Sequence, residues 1–286
     1  MTAHADCNRA FVRIAEGSMH YRHAGDATSG RRPVWMMHAS PASSRSVEPL
    51  ALAVAALGGR RVLAPDTPGN GDSAPLRLAD PELGDYADAF LRMLDALQID
   101  RIDLYGFHTG AHIGIEMALR HPDRIGRLAL DGLLWLEAKE REDYLAHYAP
   151  PLELDHAGTQ VFRALQFIRD QAWFFPHFKR DPQHNLGGGA MPPELLHTLT
   201  VDLLKAASTY HLAYRAVFRH QLAERLPKLR QPTLLMADGG DPTRESVRRA
   251  AALVPDAATA IGGEGWSPDG LAMKAKRIVE FLDVAS

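Results

Sequence analysis

The chain has 286 residues, of which 46% are hydrophobic and 23% are charged, as in an ordinary globular protein. Its net charge of -3 gives no basic footprint, so we expect neither nucleic acid nor a membrane as a partner. The single cysteine, Cys7, argues against a disulfide framework and a thiolate metal cluster. The N-terminus has no signal-peptide pattern and no apolar run approaches about 20 residues, which predicts a cytoplasmic protein.

Short apolar runs alternate with segments of helical period over the first 136 residues. The runs predict strands at 34–37, 61–64, 101–105 and 128–130. The segments between them predict helices at 49–57, 85–97 and 109–120. Alternation at this spacing is typical of a parallel sheet with helices on both faces, in which ligands bind at the carboxyl ends of the strands.

The strand pattern stops between residues 137 and 226, where helical segments carry clustered aromatic side chains. It then resumes with predicted strands at 232–236 and 257–261 and helices at 244–253 and 269–284. We therefore predict an α/β core made of residues 1–136 and 227–286, interrupted by a helical lid at 137–226.

The third predicted strand leads into Gly106-Phe107-His108-Thr109-Gly110, and a helix follows at once. Gly-x-nucleophile-x-Gly between a strand and a helix resembles the nucleophile elbow of the α/β-hydrolases. The resemblance extends to residues 38–41 (His-Ala-Ser-Pro), which look like the family's oxyanion loop, and to the segments 19–25, 64–73 and 121–125. It implies the α/β-hydrolase fold, with a mostly parallel sheet flanked by helices.

The catalytic positions depart from the family pattern. The family's esterases use Ser, Asp and His in that order, but His108 stands at the serine position. Asp241 occupies the acid position, and Trp266 stands where the histidine belongs. The chain has 14 histidines, yet none follows His220. Without a hydroxyl and a late proton shuttle, we expect no acyl-serine mechanism.

An imidazole at the elbow suggests different chemistry. Neutral histidine acts as a base without prior deprotonation, and its pKa of about 6.5 suits neutral pH. Our hypothesis is that His108 and Asp241 form a base–orienter pair, directly or through water. The resemblance places the oxyanion donors at the backbone N–H groups of Thr109 and Ala39.

Several other residues are candidates for lining the pocket. In the oxyanion loop, His38 is expected to support the backbone and Ser40 to face the pocket as a donor. From the lid we predict lining by four residues: Trp173, Phe174, Tyr210 and His211. No third ligand accompanies the spacing of His108 and His112, so no metal is expected.

These features predict a cofactor-independent enzyme acting on a small, partly apolar carbonyl compound. The reaction would be a hydrolysis or a lyase-type proton transfer with His108 as base. Two alternatives stay open: a retired enzyme that serves as a ligand-binding or regulatory module, and, more weakly, a cofactor-independent oxygenase. The sequence also leaves a homodimer open.

Overall fold

The computed structural model describes residues 7–263 and 265–284. In this part of the chain, β1 to β8 are the strands Asn8–Arg13, Ser18–Ala24, Val34–Met37, Val62–Pro65, Ile102–Phe107, Ile125–Asp131, Thr233–Ala237 and Ala258–Ile261. The helices α1 to α10 are Glu48–Gly58, Leu83–Ala96, Thr109–Arg120, Ala138–His147, Thr159–Gln171, Pro193–Lys205, Tyr210–Arg219, Leu222–Arg225, Arg244–Ala251 and Pro268–Leu282.

The strands form one sheet of eight, in the order β1-β2-β4-β3-β5-β6-β7-β8. β1 and β2 pair antiparallel, as do β2 and β4, and every other neighbouring pair is parallel. β3 and β5 therefore lie at the centre, and the parallel strands β3 to β8 carry their following loops to the same edge of the sheet. The predicted α/β-hydrolase fold is confirmed.

Apolar side chains cover both faces of the sheet. On one face, α1 and α10 pack against each other and onto β3, β4 and β7 through residues such as Val54 and Ile278. On the other face, α2 and α3 bury Phe90 and Ile113, and the same apolar cluster continues into the helices between β6 and β7. The sheet is thus buried on both sides, as parallel sheets usually are.

The structure adds elements that the sequence pattern did not predict. β1 forms the edge of the sheet, where Phe11 is 58% exposed and the alternation of apolar residues is weak. A short 3-10 turn at Ser44–Ser46 precedes α1, and Ser43 caps this turn rather than the helix itself. The strands and helices that the sequence did predict are found within a few residues of their expected bounds.

Helices α4 to α8 lie in sequence between β6 and β7, and we call them the inserted helices. Their aromatic side chains form a continuous cluster that includes Tyr144, Tyr148, Phe167 and Phe218. None of the described helices is long and apolar enough to cross a membrane.

Candidate active site

The elbow is a tight turn between β5 and α3. His108 occupies it with φ 45° and ψ -106°, a strained conformation for a residue with a side chain. A Cβ on Gly106 would lie 2.4 Å from the Gly110 carbonyl oxygen, and one on Gly110 would lie 2.6 Å from the Met37 Cβ and carbonyl oxygen. The two glycines are therefore required, because the turn packs backbone against backbone. Histidine is among the residues that tolerate positive φ better than most.

The His108 imidazole meets Asp241, which lies in the loop after β7. Nε2 of His108 is 3.0 Å from Oδ2 of Asp241, whose side chain is only 5% exposed. The other carboxylate oxygen accepts the backbone N–H of Thr243 at 2.7 Å and its hydroxyl at 2.6 Å. Asp241 is thus fixed on one side by Thr243 and directed on the other side toward the imidazole.

Charge and burial act in opposite directions on this pair. Burial alone lowers the pKa of His108, but the Asp241 carboxylate outweighs it, so the net pKa lies above the ordinary histidine value. Burial would raise the pKa of Asp241, but the imidazole and Thr243 hold it well below its usual range. Asp241 is therefore ionised at neutral pH, and it accepts a hydrogen bond from the Nε2–H group of His108.

Space for the imidazole is provided by Gly132, directly after β6. A Cβ at Gly132 would lie 2.8 Å from Cε1 of His108 and 3.0 Å from each ring nitrogen. Gly132 also has φ +74°, a conformation that favours glycine. Sequence reasoning missed this residue, although a glycine directly after a buried strand at the active edge of the sheet was a usable signal.

The oxyanion loop lies beside the elbow. Nε2 of His38 accepts the Thr67 N–H at 2.9 Å, so its Nδ1–H donates to the Ala39 carbonyl at 2.8 Å. The Ser40 N–H donates to the Thr109 hydroxyl at 3.1 Å. Within the described chain, the backbone N–H groups of Ala39 and Thr109 donate to no protein acceptor. These two donors remain available to a ligand.

A cavity of about 210 Å³ lies above His108. Ala39, Ser40 and Thr109 line it from the core. The imidazole is 27% exposed, and its Nδ1 has no hydrogen-bond partner among the described residues. The inserted helices and the segments joining them line the cavity with Tyr148, Gln171, Phe175, Tyr214, Val217 and Phe218.

The four residues predicted from the lid do not line this cavity. Trp173 is 40% exposed and stacks under the Arg169 guanidinium, while Phe174 bridges to Asn185. Tyr210 is buried, and its hydroxyl donates to the Pro150 carbonyl.

The fourth residue, His211, lies beside Arg215, on a different part of α7 from the cavity-lining Tyr214. The lining from this region instead comes from Tyr148, Gln171 and Phe175 and from residues 214, 217 and 218 of α7. This difference reflects how the helices pack on the core, which their own sequence does not reveal.

Trp266 contacts the site from the side. Its indole packs against Phe107 with ring centres 5.1 Å apart, and it lines a second cavity rather than the one above His108. The Lys274 ammonium lies 4.8 Å from the centre of the indole and donates to Asp131 at 2.7 Å and to Asp238 at 2.8 Å. A buried ion cluster therefore supports the wall that Trp266 and Phe107 form.

A second buried histidine, His112, lies one turn further along α3. Its Nε2 accepts the Leu134 N–H at 3.1 Å, so its Nδ1–H donates to Nδ1 of His220 at 2.8 Å. Nε2–H of His220 then donates to Glu116 at 3.0 Å, and Glu116 also pairs with Arg225. This chain ties the end of α7 to α3 and uses both ring nitrogens of His112.

One group of side chains has spacing suitable for a metal ion. Ligand atoms of His20, Asp66 and Asp72 lie within 4.8 Å of one another. Asp66, however, accepts the backbone N–H groups of Ser44 and Asp72 as well as the His20 imidazole. Its oxygens are therefore used to fix the loop after β4.

The chain belongs to the α/β-hydrolase fold family. The family model described as alpha/beta hydrolase fold matches residues 32–188, which include the oxyanion loop, the elbow and the first inserted helices. The elbow, the acid after β7 and the order of the sheet agree with that membership.

Curated relatives match part of the chain. The 2-hydroxy-6-oxononadienedioate/2-hydroxy-6-oxononatrienedioate hydrolase 1 of Dechloromonas aromatica (strain RCB) is 36% identical over 130 residues, 43% of each protein. The 2-hydroxymuconate semialdehyde hydrolase of Pseudomonas sp. (strain CF600) is 41% identical over 73 residues, 26% of each. The chain thus matches less than half the length of these relatives.

Solved structures are similar over nearly the whole chain. The epoxide hydrolase from an endophytic Streptomyces superposes with a TM-score of 0.75 at 20% identity, covering 97% of this chain and 95% of its own. The enol-lactonase from Burkholderia xenovorans LB400 gives a TM-score of 0.68 at 19% identity, covering 96% and 99%. At this identity the likeness establishes the fold.

Proposed function

We propose that the protein is a cofactor-independent enzyme in which His108, oriented by Asp241, acts as general base on a small, partly apolar carbonyl compound. The observation that carries the proposal is the 3.0 Å contact between His108 Nε2 and Asp241, with Nδ1 left unpartnered at the cavity. A base oriented by a carboxylate and facing a substrate-sized space is the arrangement that general base catalysis requires.

The hydrogen bond to Asp241 defines which nitrogen is free. An ionised carboxylate only accepts, so Nε2 of His108 carries a proton and the lone pair of the neutral ring is on Nδ1. Nδ1 would take a proton from a carbon next to the substrate carbonyl, and the electron pair of that C–H bond would move into an enolate. Alternatively, Nδ1 would take a proton from water as the oxygen attacks the carbonyl carbon.

Negative charge develops on the carbonyl oxygen in either reaction. The unpartnered N–H groups of Ala39 and Thr109 would stabilise it, because both residues line the cavity with His108. Such preorganised donors are worth about 100-fold to 1,000-fold each in known oxyanion holes. We assign Ala39 and Thr109 this role and His38 the support of the loop.

The relatives favour a carbonyl substrate. The hydrolase of Dechloromonas aromatica carries a 6-oxo compound in its name, and the similar Burkholderia xenovorans structure is an enol-lactonase. Carbonyl and enol chemistry is common to these names. In our chain the reaction would proceed without the serine, since His108 occupies that position.

We further propose that the inserted helices act as a lid, with residues 137–226 as the cap and residues 1–136 and 227–286 as the core. Tyr148, Tyr214 and Phe218 support this division, because they close the cavity over the elbow. A closed apolar roof would exclude water from a proton transfer between carbon and nitrogen.

Deuterium exchange tests the proposal without knowledge of the natural substrate. Acetophenone is a neutral ketone whose methyl protons exchange in D₂O only through the enolate, and proton NMR follows their loss. We expect the wild-type protein to accelerate this exchange and His108→Ala to lose about 100-fold to 10,000-fold of the acceleration. Hydrolysis of p-nitrophenyl acetate, assayed in parallel, separates water activation from proton transfer at carbon.

Equal exchange rates for the two proteins would refute His108 as base. If acetophenone binds to both proteins and neither assay detects turnover, the ligand-binding alternative replaces the enzyme.

A further inference from the structure

A second cavity adjoins the one above His108. Its volume is about 350 Å³, and it shares Ala39, Ser40, Phe107 and Gln171 with the first cavity. The oxyanion loop therefore borders both spaces. A ligand whose carbonyl reaches Ala39 has room for a substituent on the far side of the loop as well as above His108.

The second cavity has an apolar wall. Ile168 of α5 and Leu195 and Leu199 of α6 line it, together with Met191 and Trp266. Trp266 holds its place by packing on Phe107, and the cation of Lys274 lies against its ring. The residue that replaces the family's histidine thus forms part of a wall instead of a proton shuttle.

Neither cavity is lined by an aspartate, glutamate, lysine or arginine among the residues in the described ranges. The Lys274 ammonium near Trp266 is neutralised by Asp131 and Asp238, so it offers no free positive charge. A carboxylate moved from water into the second cavity would lose hydration without gaining a counter-ion, because no ionisable side chain of the described residues lines that cavity.

An unpartnered polar group is present where the cavities meet. Ser40 lines both, and its Oγ is buried without a hydrogen-bond partner. Its carbonyl accepts the Tyr214 hydroxyl at 2.7 Å, which holds the loop in place. A buried hydroxyl without a partner is unfavourable until a ligand supplies one.

We infer that the site takes an uncharged ligand, with its carbonyl at the Ala39–Ser40 loop and an apolar arm in the second cavity beside Leu199 and Trp266. The inference rests on the proposed function in treating this ligand as the substrate, although binding itself needs no turnover. It sets the chain apart from its relatives of the 2-hydroxy-6-oxononadienedioate hydrolase type, whose named compounds are dicarboxylates.

Two methyl ketones test the inference directly. Benzylacetone and levulinate share the same ketone and two-carbon linker, but the first ends in a phenyl ring and the second in a carboxylate. Their dissociation constants are measured by calorimetry on the His108→Ala protein, in which turnover is not needed. We expect benzylacetone to bind at least about tenfold more tightly than levulinate, since its phenyl ring would be buried in the second cavity.

A matched pair of arginine variants tests whether the apolar arm of the ligand occupies the second cavity. Leu199→Arg, added to His108→Ala, introduces a cation into the second cavity, and we expect it to weaken benzylacetone and strengthen levulinate. Val201→Arg is the control, because it adds the same charge to α6 at a side chain that is 40% exposed and does not line the cavity. The control should keep the original preference.

If Leu199→Arg fails to fold, Leu199→Phe serves instead and should weaken the binding of benzylacetone by filling the second cavity. Tighter binding of levulinate to the parent protein, or equal effects of the variants at 199 and 201, would overturn the inference. Preference for benzylacetone without deuterium exchange by the wild type would refute the proposed function while the ligand class stands.

Discussion

Two histidines, one turn apart at the start of α3, show what distinguishes a chemical site from a structural one. His108 has one nitrogen on Asp241 and the other free at a cavity, whereas His112 has both nitrogens occupied by Leu134 and His220. The difference shows that an unpaired nitrogen facing a ligand space, more than burial or spacing, identifies the candidate base.

The surroundings of the two rings also shift their pKa values in opposite directions. Asp241 raises the pKa of His108 above the ordinary value despite burial. Burial, together with the neighbouring rings of His220 and His108, lowers the pKa of His112 well below the ordinary value. His112 is therefore neutral near pH 7 and acts as a fixed connector, whereas Asp241 favours the protonated form of His108.

The largest expected contrast comes from the same substitution at both positions. His108→Ala is predicted to lower the exchange rate by about 100-fold or more. We expect His112→Ala, by contrast, to keep the rate within about tenfold of the wild type. The free energy of unfolding of His112→Ala should fall by about 1–3 kcal/mol or more, because the Leu134 N–H and His220 lose their partner. Exchange kinetics and urea denaturation measure the two effects; equal losses of rate would remove the distinction.

Gly132→Ala tests the placement of the His108 ring. The new Cβ would overlap the imidazole and would also sit at a positive φ. We expect the exchange rate to fall by about 100-fold, since a displacement near 1 Å has that effect in other active sites. Gly114→Ala is the control, because its new Cβ in α3 would meet Leu104 instead of His108. It should lower the melting temperature and leave the rate per folded molecule nearly unchanged.

We expect Asp241→Asn to lower the exchange rate less than His108→Ala does, because Asp241 orients the base and does not itself take the proton. We expect a loss of about tenfold or more, with a lower apparent pKa in the pH–rate profile, because the charge that raises the pKa of His108 is removed. A uniform loss at every pH, with the apparent pKa unchanged, would leave Asp241 a purely structural role.

The same pair predicts a pH-dependent contribution to stability. Since the folded protein raises the pKa of His108 and lowers that of Asp241, their ion pair contributes fully between about pH 4 and pH 6.5. The contribution is lost as pH rises through the folded pKa of His108. The stability difference between the wild type and Asp241→Asn should therefore shrink toward alkaline pH in urea titrations.

Much of the fold could be predicted because its signals are local. The run from β5 through the glycines at 106 and 110 into α3 has a fixed spacing that only a tight turn satisfies. Asp241 was predictable in the same way, from its place after an apolar strand. The edge strand β1 was not, because Phe11 faces solvent and leaves the alternation incomplete.

The cavity walls depend on tertiary packing and could not be read from local patterns. Phe175 and Tyr214 reach the cavity, whereas Trp173 and Tyr210 do not, and the sequence marks all four equally as aromatic residues of the lid. The pairing of His112 with His220 joins positions 108 residues apart, with no signal at either of them.

The pH dependence of acetophenone exchange by the wild-type protein tests the central claim most directly. If neutral His108 is the base, kcat/KM should rise with pH to a plateau, with an apparent pKa above the ordinary histidine value of about 6.5. His108→Ala should lack this transition. A rate that is flat across this range, or that falls as pH rises, would contradict His108 as the base.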